Sequence, residues 1–279
     1  MGNVERGESV PGIRFQNTQT GRATSGSRPK LGYLGQVSEC WQELSRAQKG
    51  ASKSAPAYSR YVNRRIGRFF AACAVPLGIS PNQVTAVSAI FTFSGVALIA
   101  LAPMSVAVGL VVAVLLAVGY ALDSSDGQVA RLQGSGSLAG EWLDHCVDAI
   151  KTIALPLSVA IGLWRHGIEP QWLLIVPLAA CVIGGSTFFL MILTEQFRLR
   201  LGGQGVSKDT GTSGSLLRGL LVLPMDYGVM CWVFVLWGWP QIFISVYGLI
   251  TVGAAGFLLL AMRKWYSDIR TLVFAQKDA

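Results

Sequence analysis

Apolar runs of about twenty residues recur through the last two thirds of the chain, and they restrict its fold more than any other feature. A helix needs that length to cross a bilayer, and a backbone in hydrocarbon must satisfy its own N–H and C=O groups. Runs near 82–102, 104–122, 141–163, 171–194, 217–238 and 240–262 predict six transmembrane helices in an all-α integral membrane protein. Composition agrees, because only 14% of the residues are charged, against roughly 25% in a soluble domain. Ser80 and Pro81 in "SPNQVT" predict an N-cap and a first helical position for the first span.

Residues 1–52 are rich in Gly, Ser, Thr, Arg and Lys and predict a flexible arm, with a short helix around 36–48. They contain no apolar stretch behind a basic start, so no signal peptide is expected. Residues 53–279 form the expected membrane domain. Its first segment, 58–75, sets Tyr58, Tyr61, Val62, Ile66, Phe69, Phe70 and Cys73 at helical spacing, with Arg60, Arg64, Arg65 and Arg68 on the other side. That pattern predicts a basic amphipathic helix lying in the membrane interface.

The net charge of +8 is distributed by topology. If six helices alternate, 21 of the 23 Lys and Arg fall on one side, leaving Arg165 opposite and Lys151 inside the third span. The positive-inside rule then places both termini in the cytoplasm of a multi-pass cell-membrane protein. This placement fits a membrane surface and excludes nucleic acid as the partner of the basic residues. The five cysteines are scattered without a C-x-x-C pair, which argues against a disulfide scaffold or a zinc site. Trp164, Trp172, Trp237 and Trp239 cluster near the predicted outer boundary, as an aromatic belt would. His166 falls in the short outer loop and is expected to be solvated.

Between spans two and three lies "DSSDGQVARLQGSGSLAGEWLDHCVD", residues 123–148. Ionisable groups beside lipid are costly, and their default reading is functional. If span two continues as helix, Asp123, Asp126, Gly127 and Ala130 share a face. Gly134 to Ser137 make a turn, and Gly140, Asp144, Asp148 and Lys151 share a face of span three. The hairpin brings four carboxylates together at the cytoplasmic boundary. Their mutual repulsion calls for protons or cations. Oxygen-only donors select hard ions such as Mg²⁺ or Mn²⁺, and one or two such ions suit phosphoryl chemistry. Gly127 and Ala130 leave room for a large ligand, and Arg131 can meet a phosphate.

The same residues resemble the motif of the CDP-alcohol phosphotransferase (CDP-alcohol phosphatidyltransferase) family, D-x-x-D-G-x-x-A-R-x8-G-x3-D-x3-D. All eight defined positions match, from Asp123 to Asp148, at the family's spacing. The resemblance implies a membrane enzyme that moves a substituted phosphate from a CDP-alcohol to an acceptor hydroxyl and releases CMP, in polar-lipid synthesis. It implies that Asp123, Asp126, Asp144 and Asp148 hold one or two divalent cations against the diphosphate. Asp123, Gly127, Ala130, Arg131 and Gly140 would face the nucleotide, and Asp148 would be the general base. Asn82 and Thr85, at the start of span one, either border the nucleotide or cap the helix. A homodimer is the assembly the family implies.

Two branches of the family remain open. "GEWLDHCVD" is similar to a stretch in choline and ethanolamine phosphotransferases, which use a CDP-amino alcohol and diacylglycerol; Glu141 and His145 would then share the proton chemistry. The favoured branch uses CDP-diacylglycerol and a water-soluble acceptor. Lys151, Arg198, Arg200, Lys208 and Arg218 are candidate contacts for an acceptor phosphate, although Lys151 can equally pair with an acid. Asp226, in an apolar run, either fixes a helix contact or lines the pocket. An ion-coupled transporter is a remote alternative, since transport sites favour acids at the midplane on paired broken helices.

Overall fold

The computed structural model describes residues 32–47, 56–201 and 226–277. Among them the regular structure is helical throughout: α1 (Tyr33–Ala47), α2 (Arg64–Ala74), α3 (Pro81–Leu101), α4 (Val106–Gln133), α5 (Leu138–Arg165), α6 (Ile175–Arg200), α7 (Tyr227–Val233) and α8 (Pro240–Lys277). Five of these regions are long and apolar enough to cross a membrane: α3, α4, α5, Gln171–Arg200 and the greater part of α8. The expected span at 217–238 is seen only from its last part, because residues 217–225 lie outside the described residues. There α7 and the 3₁₀ turn Phe234–Gly238 make a shorter apolar helix. The GGQG segment at 202–205 also lies outside the described residues.

Local chemistry explains the helix ends around the central hairpin. Ser80 and Gln83 form a reciprocal capping box with Pro81 at the first helical position, as expected from the sequence. Ser105 caps α4, and Ser137 caps α5 by accepting from the Gly140 N–H. Gly134 ends α4 with φ of 60°, a left-handed geometry that glycine adopts without strain. The four-residue connections at 102–105 and 134–137 make α3, α4 and α5 successive antiparallel neighbours. The start of α3, the end of α4 and the start of α5 therefore meet at one end of the bundle.

The other end is densely packed. Ile99, Leu116, Leu163, Phe234, Trp237 and Phe243 are all 0% exposed and share one core cluster. Trp237 and Phe243 meet edge to face with ring centres 4.9 Å apart. Gly162 lets α5 approach the Ile99 carbonyl and the Trp237 ring so closely that a Cβ would collide with both. Trp237 is therefore a core residue, which corrects its placement in an aromatic belt; Trp164, Trp172 and Trp239 are exposed as expected. His166 is held rather than merely solvated. Its Nε2 accepts from the Met104 N–H at 3.2 Å, and its Nδ1 lies 2.8 Å from the Gly162 carbonyl. Cys231 is buried and the other four cysteines are partly buried, all of them free.

The segment before α3 is helical from a π turn at Ser59–Asn63 through α2. Its small residues face the protein. Asn63 donates to the Tyr120 carbonyl at 3.1 Å, and Gly67, Ala71 and Ala74 are buried. Tyr61, Ile66 and Phe69, the bulky apolar positions, are exposed. Tyr58 is clasped by α7: Asp226 accepts from the Tyr58 N–H at 2.8 Å and also caps α7 at Gly228. The Tyr58 ring lies where a Cβ on Gly228 would be, and Trp232 Nε1 donates to its hydroxyl at 3.2 Å. Burial pushes that hydroxyl above the ordinary tyrosine range, partly offset by the Trp232 bond. Asp226 thus fixes a helix contact, one of the two roles its sequence context allowed.

The predicted short helix is present as α1, and it is packed. Leu44 is 3% exposed in a cluster with Ala71, Ala74, Val84 and Val129. Arg68 donates to Ser45 Oγ at 2.6 Å and lies over the Trp41 ring. Residues 33–47 of the expected arm thus form a helix packed against α2. Buried Leu44 and the Arg68 contacts to Ser45 and Trp41 seat this short helix against α2.

Candidate active site

The α4–α5 hairpin delivers the acids where their spacing predicts. Asp123, Asp144 and Asp148 each offer a carboxylate oxygen, and these oxygens lie within 4.8 Å of one another. Their convergence follows from helical phase. Asp144 and Asp148 are one turn apart on α5 and face the α4 turn that carries Asp123. Asp126 is 8% exposed and sits one turn further along α4, where Thr85 Oγ1 donates to its Oδ2 at 2.6 Å. Thr85 therefore does more than complete a helix start: it orients an acid of the cluster from a third helix.

Beside the acids is a pocket of ≈ 410 Å³. Asn82 and Thr85 line it from α3, Asp126, Gly127 and Ala130 from α4, and Gly140, Glu141 and Asp144 from α5. A Cβ on Gly127 would meet nothing closer than Arg131 at 3.9 Å, so the glycine leaves open space at the pocket wall. Gly140 has a different use. A Cβ there would press on Ser137 Oγ at 3.2 Å and Asn82 Oδ1 at 3.3 Å, so the glycine makes room for the α5 cap and for α3. Arg131 is exposed and folds back over the helix, with Nε donating to the Gly127 carbonyl at 2.9 Å. The turn residues Ser135, Gly136 and Ser137 also line the pocket. Sequence reading passed over them as a mere connection, although their place between the two halves of the motif was a signal.

Lys151 lies inside the acid cluster. Its Nζ is 3.3 Å from Asp123 Oδ1 and in direct contact with Asp148 Oδ1. The Tyr227 ring of α7 covers it from 5.4 Å, and the buried Tyr227 hydroxyl has no hydrogen-bond partner among the described residues. Sequence reading missed Tyr227, whose only signal was its position next to Asp226 in an apolar segment. His145 turns away from the pocket, because one residue past Asp144 is about 100° further round the helix. Its ring packs edge-on against Phe188, with Nε2 3.9 Å from Glu141. Arg198 pairs with Asp268 of α8. Arg200 is exposed at the end of α6, and Lys208 and Arg218 lie outside the described residues.

The donor set fits a divalent ion: oxygen ligands only, from two rigid helices, within the separation one ion can bridge. A model of the CDP-alcohol phosphatidyltransferase domain matches residues 78–261, which takes in α3 to α7 and most of α8. The chain belongs to the CDP-alcohol phosphatidyltransferase family. It is similar to the archaetidylinositol phosphate synthase of Pyrococcus horikoshii, 33% identical over 98 residues, covering 35% of this chain and 47% of that one. It is also similar to cholinephosphotransferase 1 of Rattus norvegicus, 33% identical over 105 residues, covering 36% and 26%. The matched stretches span less than half the length of these relatives. Among solved structures, a Mycobacterium tuberculosis phosphatidylinositol phosphate synthase with manganese and citrate aligns at TM-score 0.45 and 20% identity, over 71% of this chain and 87% of that one. The same enzyme with CDP-DAG bound aligns at TM-score 0.45 and 19% identity, over 74% and 94%.

Proposed function

We propose that this family member transfers a substituted phosphate from a CDP-alcohol to an acceptor hydroxyl, releasing CMP. The observation that carries the reading is the convergence of Asp123, Asp144 and Asp148 beside a pocket walled by Gly127, Ala130 and Gly140. The nucleotide lies in that pocket, with Arg131, Asn82 and the Ser135–Ser137 turn within reach of its polar groups. Asp123, Asp126, Asp144 and Asp148 hold one or two Mg²⁺ or Mn²⁺ ions. Bound there, such ions neutralise the diphosphate and the charge that grows on the leaving phosphate. Asp148 takes the proton of the acceptor hydroxyl, and the freed oxygen bonds to the phosphorus bearing the alcohol. The bridging P–O bond breaks, and its electron pair leaves on CMP. Thr85 keeps Asp126 oriented throughout.

CDP-diacylglycerol is the favoured donor. Leu138 at the pocket and nearby Trp142 are 75% and 68% exposed, apolar surface along which acyl chains can lie. Arg200, Arg218 and Lys208 are then the cations for an anionic acceptor. The alternative is a CDP-amino alcohol with diacylglycerol, in which His145 and Glu141 take part. The protein sits in the cell membrane with both termini and the site in the cytoplasm, and the π turn and α2 lie in the interface with Tyr61, Ile66 and Phe69 toward lipid. Six spans require the segment before α7 to complete the fifth crossing. A second copy of the chain completes a homodimer.

The deciding experiment measures CMP release by purified protein in lipid with Mg²⁺, across CDP-alcohols crossed with acceptors, using Asp148→Asn as the blank. Release from CDP-diacylglycerol with one polar acceptor supports the favoured branch, and release from a CDP-amino alcohol with diacylglycerol supports the alternative. No release above the blank from any pair, in protein that binds CDP, overturns the transferase reading.

A further inference from the structure

Lys151 is placed where a metal-binding reading alone would not put a cation. Its Nζ bridges Asp123 of α4 and Asp148 of α5, the two helices that build the cluster. It contacts Oδ1 of each carboxylate. The side chain is 9% exposed and is closed in by the Tyr227 ring. Removing one member of such a buried pair strands the remaining charges, so the ammonium is not readily displaced.

Charge counting then separates the ions. Asp123, Asp126, Asp144 and Asp148 carry four negative charges when ionised, and Lys151 returns one. One divalent ion leaves the cluster near balance at −1. A second makes it +1, with two dications and an ammonium packed together before any substrate is present. We propose that Lys151 stands in for one of the two divalent cations. The nucleotide-free site then holds one divalent ion, and a second enters only with a nucleoside diphosphate, whose negative charge compensates it. This inference rests on the metal-binding reading above and deepens it. The metal stoichiometry becomes a property of the chain's own lysine, and donor binding and completion of the site become one event.

Titration of the full-length protein in lipid nanodiscs with Mn²⁺, followed by calorimetry and electron paramagnetic resonance, tests it. Wild type without nucleotide should bind one Mn²⁺ per chain with the spectrum of an isolated ion, and CDP should bring in a second and produce a spin-coupled pair. Lys151→Met should bind the second Mn²⁺ without CDP, at least about tenfold more tightly, since a unit and a double charge a few Å apart repel by that much even in water's dielectric. Lys151→Arg, which keeps the charge, should behave as wild type. Two tightly bound, coupled Mn²⁺ in nucleotide-free wild type would overturn the inference, as would a Lys151→Met profile identical to wild type. If Lys151→Met does not fold, the wild-type stoichiometry with and without CDP decides alone. Two tight ions alongside Mn²⁺-dependent CMP release remove this inference only. No bound Mn²⁺ and no CMP release remove the metal-binding reading beneath it.

Discussion

The two ends of the α3–α4–α5 bundle solve opposite problems with the same three helices. At one end Ile99, Leu116, Leu163, Trp237 and Phe243 exclude solvent completely. At the other, Asp123, Asp144 and Asp148 converge beside an open pocket that Asp126 and Asp144 line. Carboxylates held together cannot stabilise the helices that carry them, because repulsion and desolvation both work against the arrangement. The dense end supplies what the acidic end lacks. Close packing at Gly162 and Trp237 fixes the helix axes, and those axes aim the acids. The difference teaches that the geometry of this site is set some distance from its chemistry.

Substitutions at each end should therefore fail differently. Asp148→Asn should lower CMP release about a thousandfold, the scale of losing a general base or metal ligand, with the midpoint of unfolding in mixed micelles nearly unchanged. Near-normal turnover would remove Asp148 from both roles. Trp237→Ala should do the reverse. A cavity of that size costs about 3–5 kcal/mol, so unfolding should shift strongly, and activity should fall only as folded protein is lost. If turnover per folded molecule falls as far as in Asp148→Asn, the two ends are not separable in this way.

Smaller effects sharpen the contrast within the acidic end. Gly127→Leu fills open space at the pocket wall, so KM for the CDP-alcohol should rise about tenfold, as expected when about 1.4 kcal/mol of binding is lost in all. Mn²⁺ binding should stay intact, since no carboxylate moves. Thr85→Val removes the bond to Asp126 while keeping the shape. It should cost about 1.5–3 kcal/mol of transition-state stabilisation, read as kcat/KM, the range for a hydrogen bond to a charged group. The smallest effect belongs to α1. Ser45→Ala leaves Arg68 with its Trp41 contact and should cost about 1 kcal/mol of stability, with turnover unchanged. A large loss of turnover would show that α1 couples to the site.

What was legible in the sequence follows from the range of the interaction involved. The acids of the hairpin could be placed because helical phase and one short turn are local, and Ser80, Pro81 and Gly134 announce their helix ends by chemistry that acts within a few residues. The capping box formed as its residues required. Contacts between distant segments were not legible. Nothing in the sequence says that Thr85 faces Asp126, that Tyr227 covers Lys151, or that Trp237 packs inward rather than at a boundary. Each depends on which helix lies beside which. The segment before α3 shows the limit most clearly. Its bulky apolar positions and its small ones are both periodic, and only the structure shows that Asn63, Gly67 and Ala71 face the protein while Phe69 faces out.

The Asp226 contact to the Tyr58 N–H joins residues 168 positions apart. A ribosome adding roughly 5–20 residues per second needs about 10–30 s to make that stretch. The helix at 57–74 therefore emerges long before its anchor exists, while Asp123 and Asp148 are separated by only one turn and two half-helices. During synthesis the aspartate hairpin can assemble first and the clasp around Tyr58 later, so the fastening of the helix at 57–74 reports that the chain has been made at least as far as α7.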